Sequence, residues 1–311
     1  MKAHLSILLY CTVFFFACSG EKVEEKEEVQ AYAVDGSPLY IPERSDEATS
    51  ALEANLKEAE TNYKAEPNEM NTIWLGRRWA YLTNYNKAIG VFSDGIKQFP
   101  NSYKLYRHRG HRYISTRQFE KAEADYKKAF ELMDKEKIEV EPDGAPNSMN
   151  IPLSNTQFNI LYHYGLALYL QGKFEEATEV YKECLKYSVN DDLLVATTDW
   201  LYMSLMREWK AEEATAVLEP IHSEMTIIEN DSYYKRIMMY KGELAKEELL
   251  RTDQMDVALS LATQGYGMGN WYLYNGDTAK AREIFQKVID TGNWPAFGYV
   301  AAEVDLHKLK D

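Results

Sequence analysis

Six positions in this chain recur at one lag of 34 residues: Gly76 returns as Gly110, Trp79 as Tyr113, Tyr85 as Phe119, Ala88 as Ala122, Phe92 as Tyr126 and Gly95 as Ala129. Small residues return as small and rings as rings. A period near 34 with that pattern marks a helix–turn–helix unit repeated along the chain. Such a unit cannot bury its own apolar face and stands only when stacked on its neighbours. The regularity therefore commits most of the chain to antiparallel helix pairs following one another in sequence order.

The first repeat runs over about 69–102 and closes at Pro100, and the second over about 103–136. A third, about 158–191, is displaced: Gly165, Phe174, Ala177 and Tyr181 reproduce the offsets of Gly110, Phe119, Ala122 and Tyr126, but Gly165 follows Gly110 by 55 residues. The surplus lies in Ile138 to Asn155, where Pro142, Gly144, Pro146 and Pro152 forbid a continuous helix. A long loop crossing one face of the array is expected there, and loops of that length are usually functional or disordered. A weaker fourth repeat spans about 195–228 around Ala211, Ala214 and Leu218, and Asp231 to Leu250 supply a further helix or a degenerate repeat. A last repeat, about 262–295, rests on Gly269, Ala281 and Phe285; Trp294-Pro295 break it, and Ala296 to Leu309 form a terminal helix over the open end. Ahead of the array, Ser45 is a helix cap for a stripe of Leu52, Leu56, Ala59 and Tyr63.

These residues and offsets resemble the tetratricopeptide-repeat family. The resemblance implies an all-α, right-handed α-solenoid of about five repeats with a loop insertion after the second. It also implies binding rather than chemistry, with helix A of each repeat lining a concave surface. Carried over position by position, that wall takes Arg77 and Tyr81 from the first repeat and Lys104, Arg107 and His111 from the second. Asn159, Tyr162 and Tyr169 follow from the third, Asp199, Met203 and Arg207 from the fourth, and Tyr266, Asn270 and Tyr274 from the last.

The wall is basic in its first half and tyrosine-rich in its second, on a chain of formal net charge −14. That charge speaks against nucleic acid, whose phosphates need a basic face. A basic patch against the grain of the net charge is where an acidic peptide or sugar acid docks. The alternative is that Arg77, Lys104 and Arg107 pair with neighbouring glutamates. The carboxylate clamp of chaperone-binding relatives is not carried over, because His111 stands where that clamp has an asparagine. Polar and aromatic clusters such as Ser154–Gln157 and Asn190–Asp192 either line a glycan or peptide site or cap helices.

The N-terminus carries a separate message. Lys2 precedes an apolar stretch from Leu5 to Phe16, too short to span a bilayer and suited to a signal-peptide core. Phe15-Phe16-Ala17-Cys18 resembles a bacterial lipobox, and the acidic run after it resembles the surface-export signal of Bacteroidetes lipoproteins. These resemblances imply removal of residues 1–17, lipid (palmitate among its acyl chains) on Cys18, and an outer-membrane lipoprotein, periplasmic or surface-exposed. Residues 18–44 are then a polar tether. With Cys11 removed, Cys184 is the only free thiol, so no disulfide framework is expected.

Reactive chemistry finds little purchase. Gly265-Tyr266-Gly267-Met268-Gly269 lacks the preceding strand and lysine of a phosphate loop. His108 and His111 sit among Arg107, Arg109 and Arg112, which repel a cation, so neither metal nor cofactor is expected. His163 and Cys184 fit buried packing positions. The expectation is a non-catalytic binding or scaffold lipoprotein offering a groove to a protein or peptide partner. A glycan or small-ligand lipoprotein using the tyrosine-rich half is the alternative, and an enzyme using His163 is the weakest reading.

Overall fold

The computed structural model describes residues 28–144, 146–147, 149–249 and 257–309, with the backbone alone at 257–258. The leader, Cys18 and the acidic run after it lie outside the described residues. Among those described, the chain is an array of fourteen helices preceded by one two-stranded hairpin. The hairpin pairs β1 (Ala31–Tyr32) with β2 (Pro38–Leu39). Helix α1 (Asp46–Ala65) follows, its N-terminus capped by the Ser45 side chain, which accepts from the Ala48 amide.

Four helix pairs come next: α2 (Glu69–Tyr81) with α3 (Tyr85–Gln98), α4 (Tyr103–Ser115) with α5 (Phe119–Leu132), α6 (Thr156–Leu170) with α7 (Phe174–Cys184), and α8 (Asp191–Arg207) with the short α9 (Ala211–Val217). Helices α10 (Asp231–Tyr240) and α11 (Lys246–Leu249) lead to the last pair, α12 (Val257–Tyr274) and α13 (Thr278–Ile289), and to α14 (Phe297–Lys308). Consecutive helices pack in order from α1 to α9, and α10 bridges α8 to α12. Asparagine caps recur, with Asn68, Asn84, Asn155 and Asn190 accepting from the amide three residues on. The clusters at Asn155 and Asn190 thus resolve partly into capping. Asp192 carries that further, accepting from the Ile228, Glu229 and Asn230 amides and tying down the chain before α10.

One crossing repeats through the array. A Cβ added at Gly76 would lie 2.2 Å from the Phe92 ring, at Gly165 2.6 Å from Tyr181, at Gly269 2.5 Å from Phe285, and at Gly110 3.0 Å from Tyr126. In each case a ring from helix B, sixteen residues later, occupies the space that glycine leaves on helix A. The four rings are at most 1 % exposed. Burying each contributes about 2 kcal/mol, and each crossing sets how close its two helices sit.

Two expectations need correcting. The stretch 18–44 is not a free tether to its end: the hairpin docks on the array through Asn86 Nδ2 donating to Val29 O (3.0 Å) and Trp294 Nε1 donating to Tyr40 O (2.9 Å). The acidic run ahead of it hides this, for residues 30–40 are largely apolar: Ala31 is buried in the core, with Val34 and Leu39 packed against it. The terminal helix does more than cover the open end. A Cβ at Gly298 would lie 2.2 Å from Ala262 O, so α14 and α12 touch backbone to backbone, and α14 also reaches α6. It is buried on all faces, from Tyr299 and Val300 to Asp305 and Leu306. Eight of its twelve residues are buried, which places it inside the fold rather than over its end.

We predict that Gly165→Ala destabilises the chain by about 1–3 kcal/mol through overpacking against Tyr181. Gly90→Ala, with nothing within 4 Å of the added carbon, should stabilise by about 0.5–1 kcal/mol. Urea midpoints measure both, and equal shifts in the two variants would remove the crossing from its place in the fold.

Candidate functional site

Segments of the same chain lie against the helix-A residues that the family pattern singles out. In the first half the occupant is the long loop. Val140 bridges Asn155 antiparallel, with the Thr156 amide donating to Glu139 O (2.8 Å) and the Glu141 amide to Ser154 O (3.1 Å). In extended chain alternate side chains share a face, so Glu139 and Glu141 point the same way, onto α4. Glu139 meets Lys104 Nζ at 2.5 Å and accepts from the Tyr103 hydroxyl at 2.7 Å. Glu141 meets Arg107 Nη2 at 3.0 Å and accepts from Asn159 Nδ2 at 3.0 Å. Arg77 donates to Pro142 O at 2.8 Å and stacks on Trp74. Gly144 rests against Tyr81, where a Cβ would fall 2.0 Å from the hydroxyl.

For Lys104 and Arg107 the pairing alternative is therefore what the structure shows, with the glutamates supplied by the loop. The two pins differ in strength. Lys104 and Glu139 side chains are 20 % and 38 % exposed, a range in which ion pairs contribute about 0.2–1 kcal/mol. Arg107 and Glu141 are 8 % and 11 % exposed, where stripping one partner costs about 3–5 kcal/mol. Burial raises the Glu139 carboxyl, but Lys104 and Tyr103 outweigh it and hold the group below the usual range. A cleft of about 210 Å³ remains between this loop and the wall, bounded by Arg77, Arg107, Ser154, Asn159 and Glu229.

The tyrosine-rich half is closed differently. Tyr169, Arg207, Tyr266 and Asn270 do converge, but on Asp305 of α14. Arg207 grips Asp305 with both terminal nitrogens, at 3.0 and 3.1 Å, and also donates to Asn270 Oδ1 at 3.1 Å. The Tyr266 hydroxyl lies 3.0 Å from Asp305 Oδ2 and 2.8 Å from that of Tyr169, to which Asn270 Nδ2 donates. Tyr266 and Asn270 are wholly buried. Helix α10 covers the rest. Tyr162 takes the Trp200 indole N–H (2.8 Å) and meets the Tyr233 hydroxyl (2.8 Å). Asp199 and Arg236, both fully buried, lie 2.8 Å apart. Burial pushes the Asp199 carboxyl up against the pull of that arginine. Tyr274 is buried beside Tyr202.

At the middle of the wall, His111 packs on His163 and on Phe297 of α14 (ring centroids 4.5 and 5.0 Å apart). His163 Nδ1 is 2.6 Å from Asn159 O. Burial lowers His163 to about 3, and His108 and His111 fall well below the usual imidazole range for the same reason, helped by Arg107 and Arg112. Burial lifts the Cys184 thiol to about 12. Neither His163 nor Cys184 is thus in a state suited to proton transfer or nucleophilic attack at neutral pH. The glycines of Gly265–Gly269 all lie within α12, where they admit Val288, Arg236 and Phe285.

Sequence reasoning did not reach the partners of the wall: Glu139 and Glu141 in the loop, Arg236 on α10, and Phe297 and Asp305 on α14. The only local signals were the alternating Ile138-Glu139-Val140-Glu141 pattern and the apolar run Val300-Ala301-Ala302 of α14. Glu303 is held by Arg117 (2.5 Å), 186 residues away.

Each buried neutral histidine has a folded pKa below its unfolded value of about 6.5. Its contribution is complete above that value and is lost as pH falls. Asp199 and Asp125, both raised by burial, act in the opposite sense but are two groups against three. We predict a melting temperature that falls between pH 7 and 5.5, before most carboxylates titrate. A flat profile over that interval would contradict the buried neutral cluster.

Family models for the tetratricopeptide repeat match residues 103–133, 158–190 and 265–291, which are the pairs α4–α5, α6–α7 and α12–α13. Among solved structures the chain is similar to YrrB, described as a TPR protein with an unusual peptide-binding site, at 14 % identity and a TM-score of 0.43, over 75 % of this chain and 91 % of that one. It is also similar to a tetratricopeptide repeat protein from Parabacteroides merdae, at 12 % identity and a TM-score of 0.45, over 85 % and 94 % of the two chains. Likeness of this degree says nothing of a ligand. No curated protein matches the chain.

Proposed function

We propose that this chain, a tetratricopeptide-repeat protein by the units it carries, is a binding scaffold that offers the basic half of its helix-A wall to a protein or peptide partner. One observation carries the reading: Arg77, Lys104 and Arg107 are covered by an extended loop held through polar pins, whereas the tyrosine-rich half is covered by packed helices. Only the first half can be uncovered without dismantling the core. Stacked helix pairs hold the three cations on α2 and α4 at fixed separations, which suits an extended acidic segment. The low pKa of His163 and the high pKa of Cys184 favour binding over turnover. A glycan or small ligand on Tyr162, Tyr169 and Tyr266 loses its site to α10 and α14.

In this reading the scaffold is tethered to the bacterial outer membrane by lipid on Cys18, through a linker that ends where the hairpin docks. Three acyl chains anchor durably where one does not. Cross-linking in native membranes tests the binding claim. Lys104→Glu with Arg107→Glu should reduce recovery of the partner at least tenfold, while Lys97→Glu, an exposed cation on α3, should leave it unchanged. Equal recovery from the doubly reversed chain would rule out the basic half. For the tether, Cys18→Ser should move the protein from the membrane to the soluble fraction and abolish palmitate labelling; unchanged fractionation would remove the anchor from the proposal.

A further inference from the structure

The loop across the basic half makes the contacts that a bound peptide would make. It lies extended. Glu139 and Glu141, two residues and about 6.6 Å apart along such a strand, are received by separate sets of groups on the wall. Lys104 and Tyr103 take the first carboxylate, and Arg107 with Asn159 takes the second. Arg77 takes a backbone carbonyl of the same segment, at Pro142. The receiving groups are built in: Arg107 is 6 % exposed and Asn159 8 %. Arg107 Nε is buried without a hydrogen-bond partner, so the guanidinium has donor capacity that this loop leaves unused.

The loop's other face shows how it is held. Ile138, Val140, Met149 and Ile151 are all more than 40 % exposed. A segment whose apolar side chains point to solvent gains little from burial. It stays because of two carboxylates, a few backbone bonds and its attachment to the chain, which holds it at an effective concentration of about a millimolar. Removing it uncovers a charged, preorganised wall, and its own aliphatic side chains are already in solvent.

We propose that Glu139–Asp143 is a built-in ligand. The basic half is a receptor for an extended peptide segment carrying carboxylates at alternate residues, and the chain occupies that receptor with its own copy until a partner's segment displaces it. This rests on the reading of the basic half as the docking wall, and adds both the ligand class and the means of regulation. The occupant is an acidic segment of a protein partner, because the site reads two carboxylates and a main-chain carbonyl together. A lone sugar acid would meet only one of those sets.

The test uses a fluorescent peptide of residues 137–144, blocked at both ends, titrated against three forms of the full chain. In one form a Gly-Ser linker replaces residues 139–153; the second is Glu139→Gln with Glu141→Gln; the third is the unaltered chain. The linker form should bind the peptide at least tenfold more tightly than the unaltered chain, with the double glutamine form in between. Binding to the linker form should vanish with Arg107→Glu, and should vanish when the peptide carries glutamine at both acidic positions. A linker form that keeps its helical circular dichroism and melting temperature, yet binds no better than the unaltered chain, overturns the proposal. Should that form not fold, the double glutamine form decides: binding equal to the unaltered chain overturns it. Peptide results as expected, with cross-linked partners unaffected by charge reversal, would instead leave the built-in ligand standing and defeat the docking reading.

Discussion

Everything on the inner wall depends on a ring seated over a glycine. Phe92 on Gly76, Tyr126 on Gly110, Tyr181 on Gly165 and Phe285 on Gly269 set the distance between the two helices of a pair, and with it the rotation of helix A about its own axis. Once that rotation is fixed four times over, residues at set offsets from the glycine face the same side. Lys104, Arg107 and His111 on α4 and Asn159, Tyr162 and Tyr169 on α6 come together for this reason, although none of their side chains takes part in the ring-on-glycine crossing that orients them. The polar wall is a consequence of apolar packing behind it.

An inward wall of this kind has to be covered, and the two halves are covered by different physics. Helix α14 lies in the tyrosine-rich half with Tyr299, Val300, Ala301 and Ala302 buried, and its one acid there, Asp305, is satisfied by Arg207 and Tyr266. Apolar burial provides the attraction, and the polar network fixes the register. The loop reverses that balance, with its carboxylates on the wall and its aliphatic side chains in solvent. Pulling α14 away exposes core; lifting the loop exposes mainly charge that water can solvate. This asymmetry, rather than the presence of basic residues alone, singles out the first half as the part that can exchange its occupant.

The sequence carried the repeats plainly, because the lag of 34 records an obligatory contact: a glycine where a ring must sit, and the ring sixteen residues on. The same lag placed Arg77, Lys104 and Arg107 at fixed helix-A offsets, where the structure sets a loop against them. What met them was not. Asp305 binds Arg207 from 98 residues away and Glu303 binds Arg117 from 186, and no local pattern encodes a pairing at that separation. The alternating Ile138-Glu139-Val140-Glu141 run was a legible strand signal masked by the prolines around it. Residues 29–40 misled in the opposite way, since a stretch expected to hang free behind a charged run is pinned through its backbone at Val29, Val34 and Tyr40 and buries Ala31 in the core.

Native-state hydrogen exchange on the full chain tests the central claim most directly, because it compares the two coverings in one molecule. Amides of α14 should be protected to about the level of α4 and α6, opening only with the array as a whole, while the Glu141 and Thr156 amides that pin the loop should exchange through a local opening orders of magnitude faster. Loop amides as slow as those of α14, or α14 amides as fast as the loop, would contradict a trough with one permanent and one removable occupant.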